Sequence, residues 1–209
     1  TKKEVEDELS RLRSLGFEVI PKLNFSSSHD EWMGKYSRML STPEYYKFCD
    51  DVIDEICELF GNPRLFHLGM DEEVASVQGG YTYTVIREGK LYWHDQNRLF
   101  KRVEKNGCRP WIWADYIWHT KKREKMFLEN MTKDALCSIW YYRDFKVLND
   151  WHDDCWNAYD LLEKHGFDQL PTGSNVVMRE NLDHIVNHSK KTISPEHLEG
   201  FMITTWKAM

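Results

Sequence analysis

The sequence predicts an α/β fold of parallel strands, and three observations support this prediction. Strand-like and helix-like segments alternate along the 209 residues, which is typical of parallel strands joined by crossover helices. No strand is followed by a glycine-rich phosphate-binding motif, which disfavours the nucleotide-binding open sheets. Polar and aromatic residues instead follow strand after strand, as expected where strand ends converge on one face of a (β/α)8 TIM barrel.

The first half of the chain is predicted to hold two helices and two strands. Apolar residues at helical spacing predict helices over 3–15 and 43–60. The second helix follows a Ser41-x-x-Glu44 capping box with proline in its first turn. Short apolar runs bounded by glycine, proline or acidic residues predict strands over 17–21 and 65–70.

The second half continues the alternation with four helices and four strands. Most of these segments end at a glycine or a proline. The predicted helices are 94–106, 120–130, 148–165 and 179–190. The predicted strands are 110–113, 135–140, 167–170 and 200–206, with 171–175 as the exit loop of the third of these.

Composition excludes several classes of protein. Hydrophobic residues make up 41% and charged residues 30%, which suits a folded domain rather than a disordered tail. A net charge of −6 argues against a general nucleic-acid binder, which needs a basic face. No apolar run approaches the roughly 18 residues of a membrane span, and Thr1–Glu4 does not open a signal peptide.

The cysteines are interpreted as small buried side chains. There are five, an odd number, and none forms a C-x-x-C pair. They therefore define neither a disulfide framework nor a redox compartment, and the sequence assigns no cellular location.

Tryptophans lie at or just after several short apolar runs, with Trp113 and Trp140 as examples. Flat ring faces at strand ends suit a sugar-binding cleft, because the C–H face of a pyranose stacks on an aromatic surface. The alternative is that these are core tryptophans whose N–H groups find partners inside the protein. Composition alone leaves both interpretations open.

Asp71 and Glu72 follow the strand over 65–70 as adjacent carboxylates. Two carboxyl groups in one enclosed pocket cannot both ionise at low cost, so one tends to keep its proton. A proton donor beside a fixed anion is the pair that glycoside hydrolysis needs. The alternatives are a solvated acidic loop, a helix-start charge pair, or a metal site with His67, His94 and Asp95, for which no zinc or calcium spacing exists.

The same segment resembles a known catalytic signature. Residues 66–72, Phe-His-Leu-Gly-Met-Asp-Glu, resemble the His-x-Gly-Gly-Asp-Glu signature of the family-20 glycoside hydrolases, the β-N-acetylhexosaminidases, with Met70 in place of one glycine. Residues 19–24 followed by His29 are similar to the third-strand segment of that family. The resemblance implies a TIM-barrel glycosidase that acts on a carbohydrate substrate.

The resemblance also implies roles for individual residues. Glu72 would be the general acid, and Asp71 would orient a substrate 2-acetamido group that acts as the nucleophile. His29 would support the acid, and three tryptophans at the ends of strands five, six and eight would enclose the sugar. No metal or organic cofactor is implied. The predicted substrate-binding residues are His29, Trp113, Asp115, Trp140, Asn175 and Trp206.

Several positions depart from the family pattern. Lys22 and Asn24 stand where the family favours acids, residues 172–175 lack the Tyr and acid of strand seven, and Ala208 replaces an acid. These departures bear on N-acetylhexosamine specificity and keep two alternatives open. One is a carbohydrate-binding barrel with weakened catalysis. The other is a different carboxylate-based barrel hydrolase or lyase that uses Glu72 and Asp115.

The chain length bounds how much of a barrel can be present. A complete (β/α)8 barrel takes about 250 residues, and the Asp-Glu strand, fourth in the family order, is the second strand here. We therefore expect residues 1–209 to be a partial catalytic barrel covering about strands three to eight, with the first two strands and the last helix outside it.

Overall fold

The structure, a computed structural model, describes residues 1–79, 84–143 and 150–205. The chain forms two compact units, Thr1–Trp111 and Ile112–Met209. The α-helices are α1 Lys2–Ser14, α2 Pro43–Leu59, α3 Lys90–Lys105, α4 Lys121–Asn130, α5 Asp150–Lys164 and α6 Asn181–Thr192. The strands are β1 Leu65–His67, β2 Arg109–Trp113, β3 Leu136–Ser138, β4 Thr172–Ser174 and β5 Met202–Thr204. Short 3-10 segments cover Glu31–Arg38 and Asp115–Trp118.

In the first unit, β1 lies between two parallel neighbours. It pairs in parallel with β2, so that Phe66 lies opposite Pro110. On its other side, the His67 N–H donates to the Pro21 carbonyl and the Leu23 N–H donates to the His67 carbonyl, both at 3.0 Å. Because parallel strands end at the same edge, the residues that follow 21–25 and those that follow β1 are brought close together.

Helices α2 and α3 supply much of the core of this unit. Helix α2 begins at Pro43 and is capped by Thr42, whose hydroxyl accepts from the Tyr45 N–H. The predicted capping box at Ser41 is therefore wrong by one residue, and Ser41 instead donates to Asp95 of α3 at 2.6 Å. The buried apolar side chains that these helices contribute include Tyr45, Cys49, Ile53, Cys57, Leu99, Phe100 and Val103.

The second unit has its own set of parallel strands. The Ala114 N–H, just past β2, donates to the Ser138 carbonyl of β3 at 2.8 Å. Cys137 of β3 forms a parallel bridge with Gln169, and β4 pairs in parallel with β5. The helices of this unit contribute buried side chains that include Phe127, Tyr159, Leu162 and Ile185.

The alternating α/β pattern and the parallel strands are confirmed. Two positions were wrong: the pairing predicted over 17–21 occurs at 21–25, and the segment over 171–175, predicted as a loop, contains β4. The segment over 167–170 pairs within its predicted bounds, through parallel bridges at Gln169. In both cases the strand pairing lies or continues a few positions later than predicted, because the partner strand sets the register. Barrel closure and the assignment to strands three to eight stay predictions. Among the described residues, no helix is both long and apolar enough to cross a bilayer.

Candidate active site

The turn that follows β1 has an unusual backbone. Gly69, Met70 and Glu72 have φ angles of +72°, +73° and +53°. A β-carbon on Gly69 would lie 2.8 Å from the Asn24 Cα and would overlap the Asn24 side chain. Only glycine fits there, whereas Met70 and Glu72 occupy a left-handed region that costs a side-chain-bearing residue about 1–3 kcal/mol. Left-handed geometry of this kind is often found at functional sites.

Asn24 holds this turn from the neighbouring segment. Its side-chain oxygen accepts from the Met70 N–H at 3.2 Å and from the Ser26 N–H at 3.0 Å. Its amide nitrogen donates to Asp71 Oδ1 at 2.6 Å. The backbone before the acid pair and the Asp71 carboxylate are thus both bound by one side chain.

His29 contacts both members of the acid pair. Its Nε2 atom lies 3.2 Å from Glu72 Oε2 and 3.5 Å from Asp71 Oδ2. The Asp71 side chain is 12% exposed and that of Glu72 is 35% exposed. Ser28 fixes the backbone of the acid pair, because its hydroxyl donates to the Glu72 carbonyl at 2.8 Å. The structure therefore brings together the three residues that the resemblance linked, with Glu72 the more accessible acid.

These three side chains offer a nitrogen and two oxygens that lie within 4.8 Å of one another, a spacing that would admit a cation. Burial lowers the pKa of the nearby Lys22, while the charge of Asp71 acts on it in the opposite direction. We assign no metal to these three side chains.

His67 supports the turn from inside the unit. Its ring contacts that of Trp111, with 4.5 Å between centroids, and its Nδ1 atom accepts from the Gly69 N–H at 2.9 Å. Burial, and after it the charge of Lys22, hold the pKa of His67 well below its usual range. Because a neutral imidazole has one acceptor nitrogen, the proton lies on Nε2 and Nδ1 is left for the backbone. His67 therefore acts on the turn that carries the acid pair.

The third acid of the run, Glu73, is locked in the core. Its carboxylate accepts from Arg87 Nε at 2.7 Å and Nη2 at 2.6 Å, and both side chains are 1% exposed. The Ser27 N–H also donates to it, at 3.2 Å. A buried ion pair of this kind is costly to break, because one charge would be left uncompensated. It anchors the chain just after Glu72.

In the second unit, Asp115 and an aromatic cluster follow the strand ends. Asp115 is 1% exposed and its Oδ2 lies 3.1 Å from His119 Nε2. Trp118 packs edge-on against Trp140 at 5.2 Å, and Trp140 stacks on Tyr142 at 5.2 Å with an interplanar angle of 22°. Trp140 is half-buried.

The remaining predicted residues have different surroundings. Trp113 is 1% exposed and packs in the core of the second unit. Asn175 is exposed just after β4. Trp206 lies outside the residues that the structure describes.

Sequence reasoning overlooked several residues at these sites. Asn24 was noted as a departure from a family pattern, and no local signal linked it to Asp71. Arg87 and His119 drew no attention either, although Asp115 and His119 are four residues apart in sequence, a spacing that often allows contact on one face.

Comparison with known proteins bears on the fold. No protein-family model matches the sequence. Two solved structures of pneumococcal StrH resemble 99% of this chain at 18% sequence identity, with TM-scores of 0.54 and 0.55. The first structure comes from work on N-glycan recognition and hydrolysis by StrH, which is a virulence factor. The second comes from work on the tandem GH20 catalytic modules of StrH, which is named there as an exo-β-D-N-acetylglucosaminidase.

The chain spans 58% of the length of each of these structures. The resemblance to family-20 glycoside hydrolases predicted from residues 66–72 and 19–29 is thus confirmed at the level of the fold. This chain has an α/β fold of parallel strands that resembles the catalytic modules of pneumococcal StrH.

Proposed function

We propose that this chain carries the acid pair of a glycoside hydrolase. The observation that carries the proposal is the contact of His29 with both Asp71 and Glu72 at the end of a parallel strand. Carboxyl pairs at strand ends of this fold class are common catalytic groups. The fold likeness to GH20 modules gives independent support.

Glu72 is the general acid in this proposal. It is the more exposed of the pair, and the His29 ring holds its carboxyl group in place. Its proton passes to the glycosidic oxygen as the bond from that oxygen to the anomeric carbon breaks. The resulting carboxylate then takes a proton from the water that completes hydrolysis.

Asp71 acts on the substrate in the same step. The carbonyl oxygen of a substrate 2-acetamido group attacks the anomeric carbon and forms a cyclic oxazolinium ion. The Asp71 carboxylate accepts a hydrogen bond from the acetamido N–H and stabilises the positive charge that develops there. Water opens the ring and restores the acetamido group, so Asp71 ends unchanged.

The substrate class that we propose is a β-linked N-acetylglucosaminide. The acetamido-assisted route needs this group, and one StrH structure is described as an exo-β-D-N-acetylglucosaminidase. In the second unit, the ring of the half-buried Trp140 is the aromatic side chain that we propose for stacking on a sugar. Trp113, Asp115, Asn175 and Trp206 stay predictions as substrate-binding residues.

The proposal is tested by replacing the acid. We expect Glu72→Gln to lower kcat for an aryl N-acetylglucosaminide by about 100-fold or more, since general acid catalysis contributes roughly that factor. The full-length protein should be used, with Glu55→Gln on the exposed face of α2 as the matched control. Full activity in Glu72→Gln would rule out the role of the acid. Sugar binding without turnover by the unaltered protein would instead favour the carbohydrate-binding alternative.

The acetamido role has a separate test. If Asp71 orients this group, aryl N-acetylglucosaminides should be cleaved at least about 100-fold faster than the matching glucosides, because the glucosides lack the internal nucleophile. Equal rates on both substrates would remove the acetamido step while leaving Glu72 as the acid.

A further inference from the structure

Cys57 and Cys108 meet inside the first unit. Cys57 lies near the end of α2, Cys108 is the residue before β2, and their Sγ atoms are 3.6 Å apart. Both are free thiols; Cys57 is fully buried and Cys108 is 3% exposed. The two cysteines are 51 residues apart in the sequence, so the fold rather than a local motif brings their thiols together.

The backbone around this contact is held in place. Asn106 Nδ2 donates to Asp54 Oδ1 at 2.8 Å and links the end of α3 to α2, and the Arg109 N–H donates to the Arg64 carbonyl at 2.9 Å. A disulfide bond is about 2.05 Å long, so the two sulfur atoms need to come about 1.5 Å closer. Because rotation about a Cα–Cβ bond moves its sulfur atom through distances of this size, the bond can form while these hydrogen bonds persist.

We propose that Cys57 and Cys108 are a disulfide-forming pair, which glutathione disulfide oxidises as the chain folds. The bond joins the end of α2 to the start of β2. Strand β2 also carries Trp111, whose ring contacts His67, the residue that accepts from the Gly69 N–H. The inference therefore concerns the strand that supports the turn of the acid pair, and it does not depend on the proposed function.

The bond forms by two exchange steps with glutathione disulfide. In the first, the Cys108 thiolate attacks one sulfur of glutathione disulfide, a mixed disulfide forms, and one glutathione leaves as its thiolate. In the second, the Cys57 thiolate attacks the Cys108 sulfur, the bond between the two cysteines forms, and the second glutathione leaves. The two cysteines give up two protons and two electrons, and glutathione disulfide takes them up to become two molecules of glutathione.

Burial determines when these steps can occur. In the folded protein burial, and after it the contact with Cys108, raises the pKa of the Cys57 thiol to about 12. Burial also raises the pKa of Cys108, although the hydrogen bond with Cys57 acts in the opposite direction. Since the thiolate is the reactive form, the folded pair exchanges slowly. In the unfolded chain a cysteine has a pKa near 8.5, so oxidation accompanies folding.

The experiment is to refold the full-length protein from urea, once with glutathione disulfide and once with a phosphine reductant. Peptide mapping without reduction should show the peptide of Cys57 linked to that of Cys108 only after folding with glutathione disulfide. The bond joins positions 51 residues apart, which restricts the unfolded chain. The oxidised protein should therefore melt about 10 °C above the reduced one.

Single substitutions identify the pair. Cys57→Ala and Cys108→Ala should each lose the linked peptide and the difference in melting temperature. Cys49→Ala is the matched control, since Cys49 is buried on the same helix, and it should keep both.

The mapping of the unaltered protein decides the proposal even if a variant fails to fold. Absence of the Cys57–Cys108 peptide after folding with glutathione disulfide would overturn it. A linked protein whose melting temperature does not respond to reductant would overturn it too. Both results are read without cleavage of a glycoside, so loss of activity in Glu72→Gln, or its persistence, bears only on the proposed function.

Discussion

The turn after β1 and the strand ends of the second unit hold their side chains in different ways. In the turn, Met70 and Glu72 have left-handed backbone. A hydrogen bond from Asn24 fixes the Asp71 carboxylate, and one from Ser28 fixes the Glu72 backbone carbonyl. In the second unit, rings hold one another, with Trp140 between Trp118 and Tyr142. Within its described residues, non-glycine residues with positive φ are absent from that unit.

The difference follows from what each group is suited to do. A carboxyl group that transfers a proton needs a defined direction, and a misplacement of about 1 Å can cost a factor of 100 in rate. Hydrogen bonds fix the orientation of a carboxyl group. The left-handed backbone is the conformational strain that lets two adjacent side chains point into the same site. A ring face that stacks on a sugar tolerates some sliding, so packing between rings is enough.

The largest expected loss of activity is at Gly69, and a substitution there tests directly whether the hydrogen bonds of the turn are needed. We expect Gly69→Ala to lower activity by at least about 100-fold, because the new β-carbon displaces Asn24 and with it Asp71. Gly61→Ala is the control: its φ of +69° is nearly the same, but a β-carbon there meets nothing within 4 Å. That variant should lose about 1 kcal/mol of stability and keep its activity. Equal activity losses in the two variants would show that the contact with Asn24 is unimportant.

The next effect concerns the buried charges of the first unit. Asp30 is fully buried next to His29, and burial raises the pKa of its carboxyl group to about 7, although Arg38 and Arg87 act in the opposite direction. An unfolded aspartate has a pKa near 3.9, so the folded state binds this proton more tightly. The stability that this proton provides is complete below about pH 4 and is lost as pH rises through about 7.

Asp30→Asn should therefore flatten this pH dependence. Between pH 5 and pH 7.5 the free energy of unfolding of the unaltered protein should fall by about 2 kcal/mol more than that of the variant. Urea unfolding at the two pH values measures this difference, with Asp160→Asn on the exposed face of α5 as the control. Parallel curves for the unaltered protein and Asp30→Asn would show that Asp30 ionises normally.

The sequence was sufficient to predict the alternation of strands and helices, because apolar spacing and the glycines that end helices are local signals. It was also sufficient to place a carboxyl pair after β1 and to link His29 with it through a family pattern. The sequence did not predict which residues of this segment would pair with β1. The segment over 17–21 has strand-like composition, but Phe17 is 60% exposed and pairing begins at Pro21. Composition cannot indicate which residues a partner strand will select.

Local sequence patterns could not predict contacts between residues that are far apart in the sequence. Asn24 and Asp71 are 47 residues apart, and nothing in the spacing of either predicts their hydrogen bond. Arg87 and Glu73 likewise have the appearance of ordinary surface charges in the sequence, yet both are buried in one ion pair. Side chains that act through another residue become visible only once the fold brings them together.

The smallest expected effect is at Trp140, and it tests the aromatic half of the comparison. We expect Trp140→Leu to raise KM for an aryl N-acetylglucosaminide by about tenfold, or about 1.4 kcal/mol, with little change in kcat. A ring that contributes stacking alone binds the ground state and the transition state equally, which is why KM should carry the effect. Trp156→Leu is the control, since Trp156 is also half-buried but packs on His188 between α5 and α6. If Trp140→Leu instead lowered kcat at constant KM, the ring would have to act on the transition state, and the division between aimed carboxyl groups and passive ring faces would fail.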